Sequence, residues 1–184
     1  DQRAMSLFRE VAQVVPSRPE PYIQGLAIAQ RLNDSKGIRW ATLGILRNAW
    51  PQDKQQIEQK AFRAAKQLMI GLHDEGQLEA ADRYKTDLEN ARIRDCRIKV
   101  NWTGDADVDV LVEEPAGTIC SLRSPRTTSG GVMLGDSFSR RDGNTTAQGY
   151  SEVYVCPEAF RGTYRMLLRR VWGNVTANTV TVDI

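Results

Sequence analysis

The chain has 184 residues, of which 26% are charged, and its formal net charge is +2. This length suits one medium domain or two small ones, and the balanced charge excludes the strongly basic field that favours nucleic-acid binding. The apolar runs, such as 67–72, are far shorter than the roughly 20 residues of a membrane-spanning helix, so we expect no membrane insertion either.

The composition changes near residue 95. The first part is rich in the helix formers Ala, Gln, Leu, Arg and Glu, whereas the second is rich in Val, Thr and Gly with alternating apolar positions. We therefore predict an α+β chain of two domains, a helical segment over 1–94 and an antiparallel β-domain over 95–184. Because the chain begins with Asp1 rather than Met, we interpret it as the C-terminal part of a larger protein.

Apolar residues recur at helical spacing through the first domain, in five segments separated by turns that contain proline or glycine. The first segment ends at Pro16, and Pro21 falls in the first turn of the second segment. A turn at 33–37 precedes the third segment, which ends near Trp50. The turn at 73–76 separates the longer fourth helix from the fifth.

The helical domain resembles the end of a tetratricopeptide-type solenoid. Pro16 and Pro51 are separated by about the 34 residues of that repeat's period, although Tyr22 stands where the repeat usually has tryptophan. An unrelated bundle of four or five helices is the alternative. Solenoids of this kind hold peptides or partner helices in a groove, so the resemblance implies a protein partner. The implied groove residues are Tyr22, Arg39 and Trp40.

The β-domain is predicted to contain about seven short strands. Val108, Val110 and Val112 alternate with polar residues, and residues 114–117 form a turn with Pro second and Gly fourth. Strands with such turns suggest an antiparallel β-sandwich. Because side chains alternate between the two faces of a strand, Trp102 and Trp172 fall on the same faces as the core residues, and we predict that both are buried. The other predicted strands lie within 97–102, 118–122, 132–134, 152–156, 163–172 and 179–184.

The stretch GDADVDVLVEEP carries aspartates at alternate positions, so their side chains share one face of a strand. Like charges this close repel one another, and a cation would remove the repulsion. One interpretation is a calcium site. Its predicted ligands are Asp105, Asp107, Asp109, Asp136 and Asp142. The other interpretation is structural, with the aspartates accepting backbone hydrogen bonds where the strand begins or pairing with arginine. The arginines considered are Arg123, Arg126, Arg140 and Arg141.

Three cysteines occur, at positions 96, 120 and 156, and their spacing matches no zinc motif. A bridge between Cys120 and Cys156 is possible in an exported protein. Three buried thiols acting as small apolar side chains are the equal alternative.

Several motifs taken in order resemble a bacterial domain family related to YfaP, over about residues 96–184. The motifs are Asn101-Trp102, Asp107-Val108-Asp109-Val110, Glu114-Pro115-Ala116-Gly117, Gly130-Gly131 and a late Glu-Val-Tyr strand. The chain departs from the family at Ser151-Glu152, where relatives tend to have Gly-Pro-Glu. Members look like β-sandwich modules of uncharacterised function, often attached to repeat or von Willebrand factor A-like domains. The resemblance implies a binding or structural role in the periplasm, the cell envelope or the extracellular space.

Together these patterns favour a non-catalytic module for protein interaction or scaffolding, and we expect no enzymatic activity. One alternative is an adhesive or carbohydrate-binding β-sandwich that calcium stabilises. Another is an accessory domain of an enzyme whose active site lies upstream.

Overall fold

The computed structural model describes residues 2–51, 55–140 and 147–184. The chain divides into two compact units. The first contains residues up to 48 together with 53–93, and the second contains 49–52 together with 94–184. Helices form the first unit and antiparallel sheets form the second, which confirms the α+β class. The tetratricopeptide-like repeat and the sandwich architecture stay predictions.

The first unit contains five α-helices in the described residues. Pro21 lies in the first turn of the second helix, as expected. Asp34 caps the third helix by accepting a hydrogen bond from the Lys36 amide at 3.1 Å, so this helix begins inside the predicted turn at 33–37. None of these helices is long and apolar enough to cross a membrane. The helices are α1 (Gln2–Val14), α2 (Glu20–Arg31), α3 (Ser35–Arg47), α4 (Gln55–Asp74) and α5 (Leu78–Asn90).

Aromatic rings on α2 and α3 pack against glycines of the opposite helix. A Cβ atom added to Gly44 would lie 2.2 Å from the Tyr22 ring, and one added to Gly25 would lie 2.5 Å from the Trp40 ring. The two rings are 5.4 Å apart between centroids. Only glycine permits this close approach, which explains two glycines inside helices. Alanines 41, 61 and 65 continue the same core between α3 and α4.

The second unit contains seven strands in the described residues, arranged in two antiparallel sheets. The four-stranded sheet has the order β4-β5-β1-β7, and the three-stranded sheet has the order β3-β2-β6. The strands are β1 (Cys96–Trp102), β2 (Asp107–Glu113), β3 (Ile119–Cys120), β4 (Val132–Arg140), β5 (Ala147–Cys156), β6 (Arg165–Trp172) and β7 (Thr181–Asp183).

The predicted valines are buried in one core that contains residues of both sheets. Val110 is 1% exposed and Val112 is fully buried, alongside Val100 of β1 and Tyr154 of β5. Trp102 is also buried, as expected, and its indole nitrogen donates a hydrogen bond to the Ala106 carbonyl at 2.8 Å. The alternation of the sequence therefore identifies the core face of β1 and β2 correctly.

The prediction for Trp172 is wrong, because its side chain is 60% exposed. Trp172 pairs with Asp107, but Arg170 pairs with Val108, so one residue of β6 is extra at this point. Such a bulge reverses the inward and outward alternation of the residues beyond it. Trp172 thus shares the outward face with Asp107 instead of joining the core.

The three cysteines are free thiols. Cys120 and Cys156 are fully buried in the core of the second unit. The pKa of Cys120 is raised to about 12, chiefly by burial and in addition by the charge of Glu114. Burial likewise raises the pKa of Cys156. Both thiols act as small apolar side chains in this structure, in line with the second interpretation of the sequence.

Residues 49–51 belong to the second unit although they follow α3 in the chain. Ala49 packs with Val132, Val153 and Val155. Arg126 donates a hydrogen bond to the Ala49 carbonyl at 2.5 Å, and its guanidinium lies 5.3 Å from the centroid of the Trp50 ring. Arg126 therefore contacts the Ala49 carbonyl and the Trp50 ring, and not the aspartates with which the sequence had paired it.

Candidate functional site

Asp105 has a structural role at the start of β2. Its carboxylate accepts a hydrogen bond from the Asn174 amide at 2.8 Å, and its own amide donates to the Asn174 carbonyl at 3.2 Å. The preceding Gly104 has a φ of 109°, a conformation that suits glycine. One of the five predicted calcium ligands is therefore engaged in fixing the connection after β6.

Asp109 forms an ion pair with Arg169, which lies directly opposite it on β6. The Arg169 guanidinium is 2.5 Å from the Asp109 carboxylate. The sequence had suggested arginines at 123, 126, 140 and 141 as partners, because it could not reveal that β2 pairs with β6. The Arg169 side chain is half exposed, so this pair contributes at most about 1 kcal/mol.

Glu152 is a fully buried glutamate on the core face of β5. One of its oxygens, Oε2, accepts a hydrogen bond from the Val110 amide of β2 at 2.8 Å. The other oxygen, Oε1, has no hydrogen-bond partner among the described residues. A buried carboxylate with an unpartnered oxygen is costly, so this residue is unusual in a core.

Three aspartates act electrostatically on Glu152, and we name the four residues the acidic cluster: Asp107, Asp109, Asp136 and Glu152. The pKa of Glu152 is raised from its usual 4.5 to about 8, chiefly by burial and also by the charges of the three aspartates, against the opposing effect of the Val110 hydrogen bond. Partial burial also raises the pKa of Asp136, with Asp107 and Asp109 adding to the shift. The cluster therefore concentrates negative charge beside a buried carboxyl group.

A second buried glutamate, Glu114, differs from Glu152 because both of its carboxylate oxygens have hydrogen-bond donors. Its two oxygens accept hydrogen bonds from the Tyr154 hydroxyl at 2.8 Å and from the Thr118 hydroxyl at 2.5 Å. A Cβ atom added to Gly131 would lie 1.9 Å from the same carboxylate, so glycine is required there. Glu114 is fully bonded and holds the 114–117 turn, whereas Glu152 is not.

No three acidic, histidine or cysteine side chains in the described residues are arranged to hold a metal ion as they stand. Of the predicted calcium ligands, Asp105 is tied to Asn174, and the charges of Asp107 and Asp109 act on Asp136 by raising its pKa. The fifth, Asp142, lies outside the described residues. The calcium interpretation stays a prediction.

The helical unit has a groove of about 500 Å³ between α2 and α4, which we name the α2–α4 groove. Its floor is apolar. The described lining residues include two cations, Lys60 and Arg63, and no carboxylate. The apolar lining residues are Ile23, Leu26, Ala27, Ile45, Ile57 and Ala64. This volume lies within the range of sites that bury small ligands or anchoring side chains.

The predicted partner residues lie elsewhere in the helical unit. Tyr22 is buried against Gly44, which leaves its ring little surface for a partner. Arg39 is paired with Asp87 and its guanidinium lies 5.7 Å from the centroid of the Tyr84 ring. Trp40 is partly buried and packs on Gly25. No other observation tests these three residues as binding residues, so their role stays a prediction.

Sequence reasoning missed Glu152, although a signal for it exists. Glu152 lies at every second position along β5 with Tyr150, Tyr154 and Cys156, so its side chain shares the core face with theirs. A charged residue at a core position is a candidate functional residue on physical grounds. The α2–α4 groove had no comparable signal, because it depends on how the helices pack.

Searches of protein-family models, of curated proteins and of solved structures found no significant match to this chain. The resemblance to the YfaP-related family therefore stays a prediction that depends on the sequence motifs alone.

Proposed function

We propose that this chain is a non-catalytic protein-interaction module whose helical unit binds an amphipathic, acidic segment of a partner protein. The observation that carries this proposal is the α2–α4 groove. It combines an apolar floor with the cations Lys60 and Arg63. Helix-in-groove recognition uses this combination, in which apolar side chains enter the groove and charges beside them select the partner.

The apolar floor supplies the affinity. Ile23 and Ile57 are partly exposed in the groove, and covering them removes apolar surface from water at about 25 cal/mol per Å². Ala27 is exposed on α2 and leaves room for a side chain of the partner. We therefore expect the bound segment to present apolar residues at helical spacing toward this floor.

The charges supply the selectivity. Lys60 and Arg63 are both exposed, and they lie within one turn of each other on α4. Carboxylates beside the apolar face of the partner segment complement them, whereas lysines at the same positions are repelled. This favours an acidic segment over a basic one.

The test is selection of short helical peptides from a displayed library on the full chain, with counter-selection on Ala27→Trp. This substitution fills the groove from an exposed helical position and leaves the core residues unchanged. We expect enrichment of acidic, amphipathic peptides on the wild-type chain only. Enrichment that Ala27→Trp does not reduce, or enrichment of basic peptides, would contradict the proposal.

Charge reversal then tests the specificity. Lys60→Glu combined with Arg63→Glu should weaken binding of an enriched acidic peptide by about tenfold or more in fluorescence anisotropy. Lys66→Glu combined with Lys85→Glu is the matched control, because both lysines are exposed on helices of the same unit, do not line the groove and give the same change in net charge. An equal loss in the control would mean that overall charge, and not the groove, determines the binding.

A further inference from the structure

Two of the three cysteines face each other across a pair of neighbouring strands. In the antiparallel pairing of β1 with β5, Cys96 lies directly opposite Cys156. Residues that are directly opposite in an antiparallel pair have their side chains on the same face of the sheet. Both side chains pack in the core of the second unit. The two thiols are therefore cross-strand neighbours on the core face.

The position of this pair in the ladder suits a disulfide. One step beyond it, the Asp95 amide donates a hydrogen bond to the Pro157 carbonyl at 3.4 Å. Hydrogen-bonded and non-hydrogen-bonded pairs alternate along an antiparallel ladder, so Cys96 and Cys156 form a non-hydrogen-bonded pair. Cα atoms in such pairs are about 4.5 Å apart, which falls within the roughly 4.4–6.8 Å that a disulfide spans. The backbone already has the separation that the bond requires.

The third cysteine is placed differently. Cys120 belongs to β3 in the other sheet, where it pairs with Val112. Cys120 and Cys156 are both fully buried, so a dissolved oxidant reaches neither of them directly. Cys96 is only partly buried and offers a point of attack. Register and access therefore favour a bond between Cys96 and Cys156 over the Cys120–Cys156 bond considered from the sequence.

We propose that Cys96 and Cys156 form a reversible disulfide when the chain meets a small-molecule disulfide such as oxidised glutathione. The Cys96 thiolate attacks one sulfur of the small disulfide and forms a mixed disulfide, and the displaced small thiolate takes up the proton that Cys96 has lost. Cys156 then loses its proton and attacks the Cys96 sulfur, which releases the second small thiolate to take up that proton. Two protein thiols are thus oxidised to one disulfide, while one small disulfide is reduced to two thiols.

The bond would stabilise the place where the second unit begins. Without it, the start of β1 is joined to the chain after β5 by the long Asp95–Pro157 hydrogen bond and by an exposed bond from the Ala159 amide to the Asp95 carboxylate at 2.9 Å. A disulfide closes a covalent loop over residues 96–156, which restricts the unfolded chain and prevents these strand ends from separating. Disulfides persist in oxidising compartments, of which the periplasm predicted from the sequence is one.

The test is oxidation of the full chain with excess oxidised glutathione at about pH 8.5. An alkaline buffer is needed because burial raises the pKa of the Cys96 thiol above its usual 9.0, and only the thiolate attacks. We expect the free thiols, counted after denaturation, to fall from the three of the sequence to one per chain. Peptide mapping by mass spectrometry should link Cys96 to Cys156. The melting temperature should rise by about 10 °C and return to its starting value with dithiothreitol.

Cys120→Ala is the matched control for Cys96→Ala, since each variant removes one thiol from the same core. Each variant is compared with its own reduced form, so the cost of the substitution itself cancels. Oxidation should still remove two thiols and raise the melting temperature in Cys120→Ala, and it should do neither in Cys96→Ala.

Four results would overturn the proposal. They are three free thiols after oxidation of the wild type, a peptide map that links Cys120 to Cys156, a glutathione adduct on Cys96 that persists without a protein disulfide, and an equal rise in melting temperature in Cys96→Ala. The map of the wild type decides the question even if a variant fails to fold.

Discussion

Glu152 of the four-stranded sheet accepts a hydrogen bond from the amide of Val110 in the three-stranded sheet, at 2.8 Å. This bond gives a partner to a buried amide of β2 at a point where β3 has already ended, since β3 pairs only with residues 112 and 113. The Glu152 side chain thus supplies the hydrogen-bond acceptor that the backbone of a neighbouring strand would otherwise provide. Its cost is a carboxyl group in the core with one unpartnered oxygen.

The pH dependence of the free energy of unfolding should reflect the burial of the Glu152 carboxyl group. The fold raises the pKa of Glu152 from 4.5 to about 8, so between these pH values the folded chain holds a proton that the unfolded chain has released. The free energy of unfolding should therefore fall as pH rises through this window and level off above it. Asp136, whose pKa is also raised, adds a slope of the same sign at lower pH.

Glu152→Gln tests the assignment, with urea denaturation in EDTA at a series of pH values. Glutamine resembles the protonated glutamate and can still accept from the Val110 amide, so the variant should match the wild type near pH 4. It should become progressively more stable than the wild type up to about pH 8. A difference that does not change with pH would show that Glu152 does not titrate in this window.

Tyr154→Phe should be strongly destabilising, because Tyr154 is fully buried and donates to Glu114 at 2.8 Å. Its removal leaves a buried carboxylate oxygen without that donor, at a cost of about 1–3 kcal/mol in the free energy of unfolding. The measurement is urea denaturation at neutral pH. Tyr164→Phe is the control, since Tyr164 is only partly buried and its hydroxyl donates to the Phe160 carbonyl at 3.2 Å in an exposed position. Equal losses in the two variants would contradict the importance of the Glu114 bond.

The local pattern of the sequence predicts the faces of β1 and β2 correctly, because side-chain alternation is a property of the strand itself. Val110 and Trp102 are buried for this reason. The error at Trp172 has a different origin. The bulge in β6 is created by its pairing with β2, and pairing between distant segments is not encoded in either segment alone.

The candidate sites depend even more on distant pairings. The sequence identified Asp107, Asp109 and Asp136 as acidic residues, but it could not show that Asp136 is opposite Glu152 or that Glu152 reaches Val110. The α2–α4 groove is set by how three helices pack, and its lining residues look like ordinary helix positions. Composition predicts the class of the fold, whereas the sites require the tertiary contacts.

Gly44→Ala should destabilise the helical unit, against the usual trend for helices. Alanine is normally favoured over glycine inside a helix by about 0.5–1 kcal/mol. At Gly44, however, the added Cβ would lie 2.2 Å from the buried Tyr22 ring, so the ring or the helix must shift. Overpacking of this kind costs about 1–3 kcal/mol, which exceeds the gain in helix propensity.

Gly71→Ala supplies the matched comparison, because Gly71 lies inside α4 and its added Cβ would meet no atom within 4 Å. This variant should gain about 0.5–1 kcal/mol in the free energy of unfolding, measured by urea denaturation followed by helical circular dichroism. We therefore predict that the free energy of unfolding falls in Gly44→Ala and rises in Gly71→Ala. If both variants were stabilised, the Tyr22 ring would have to move aside at little cost, and the packing of α2 on α3 would not depend on glycine at position 44.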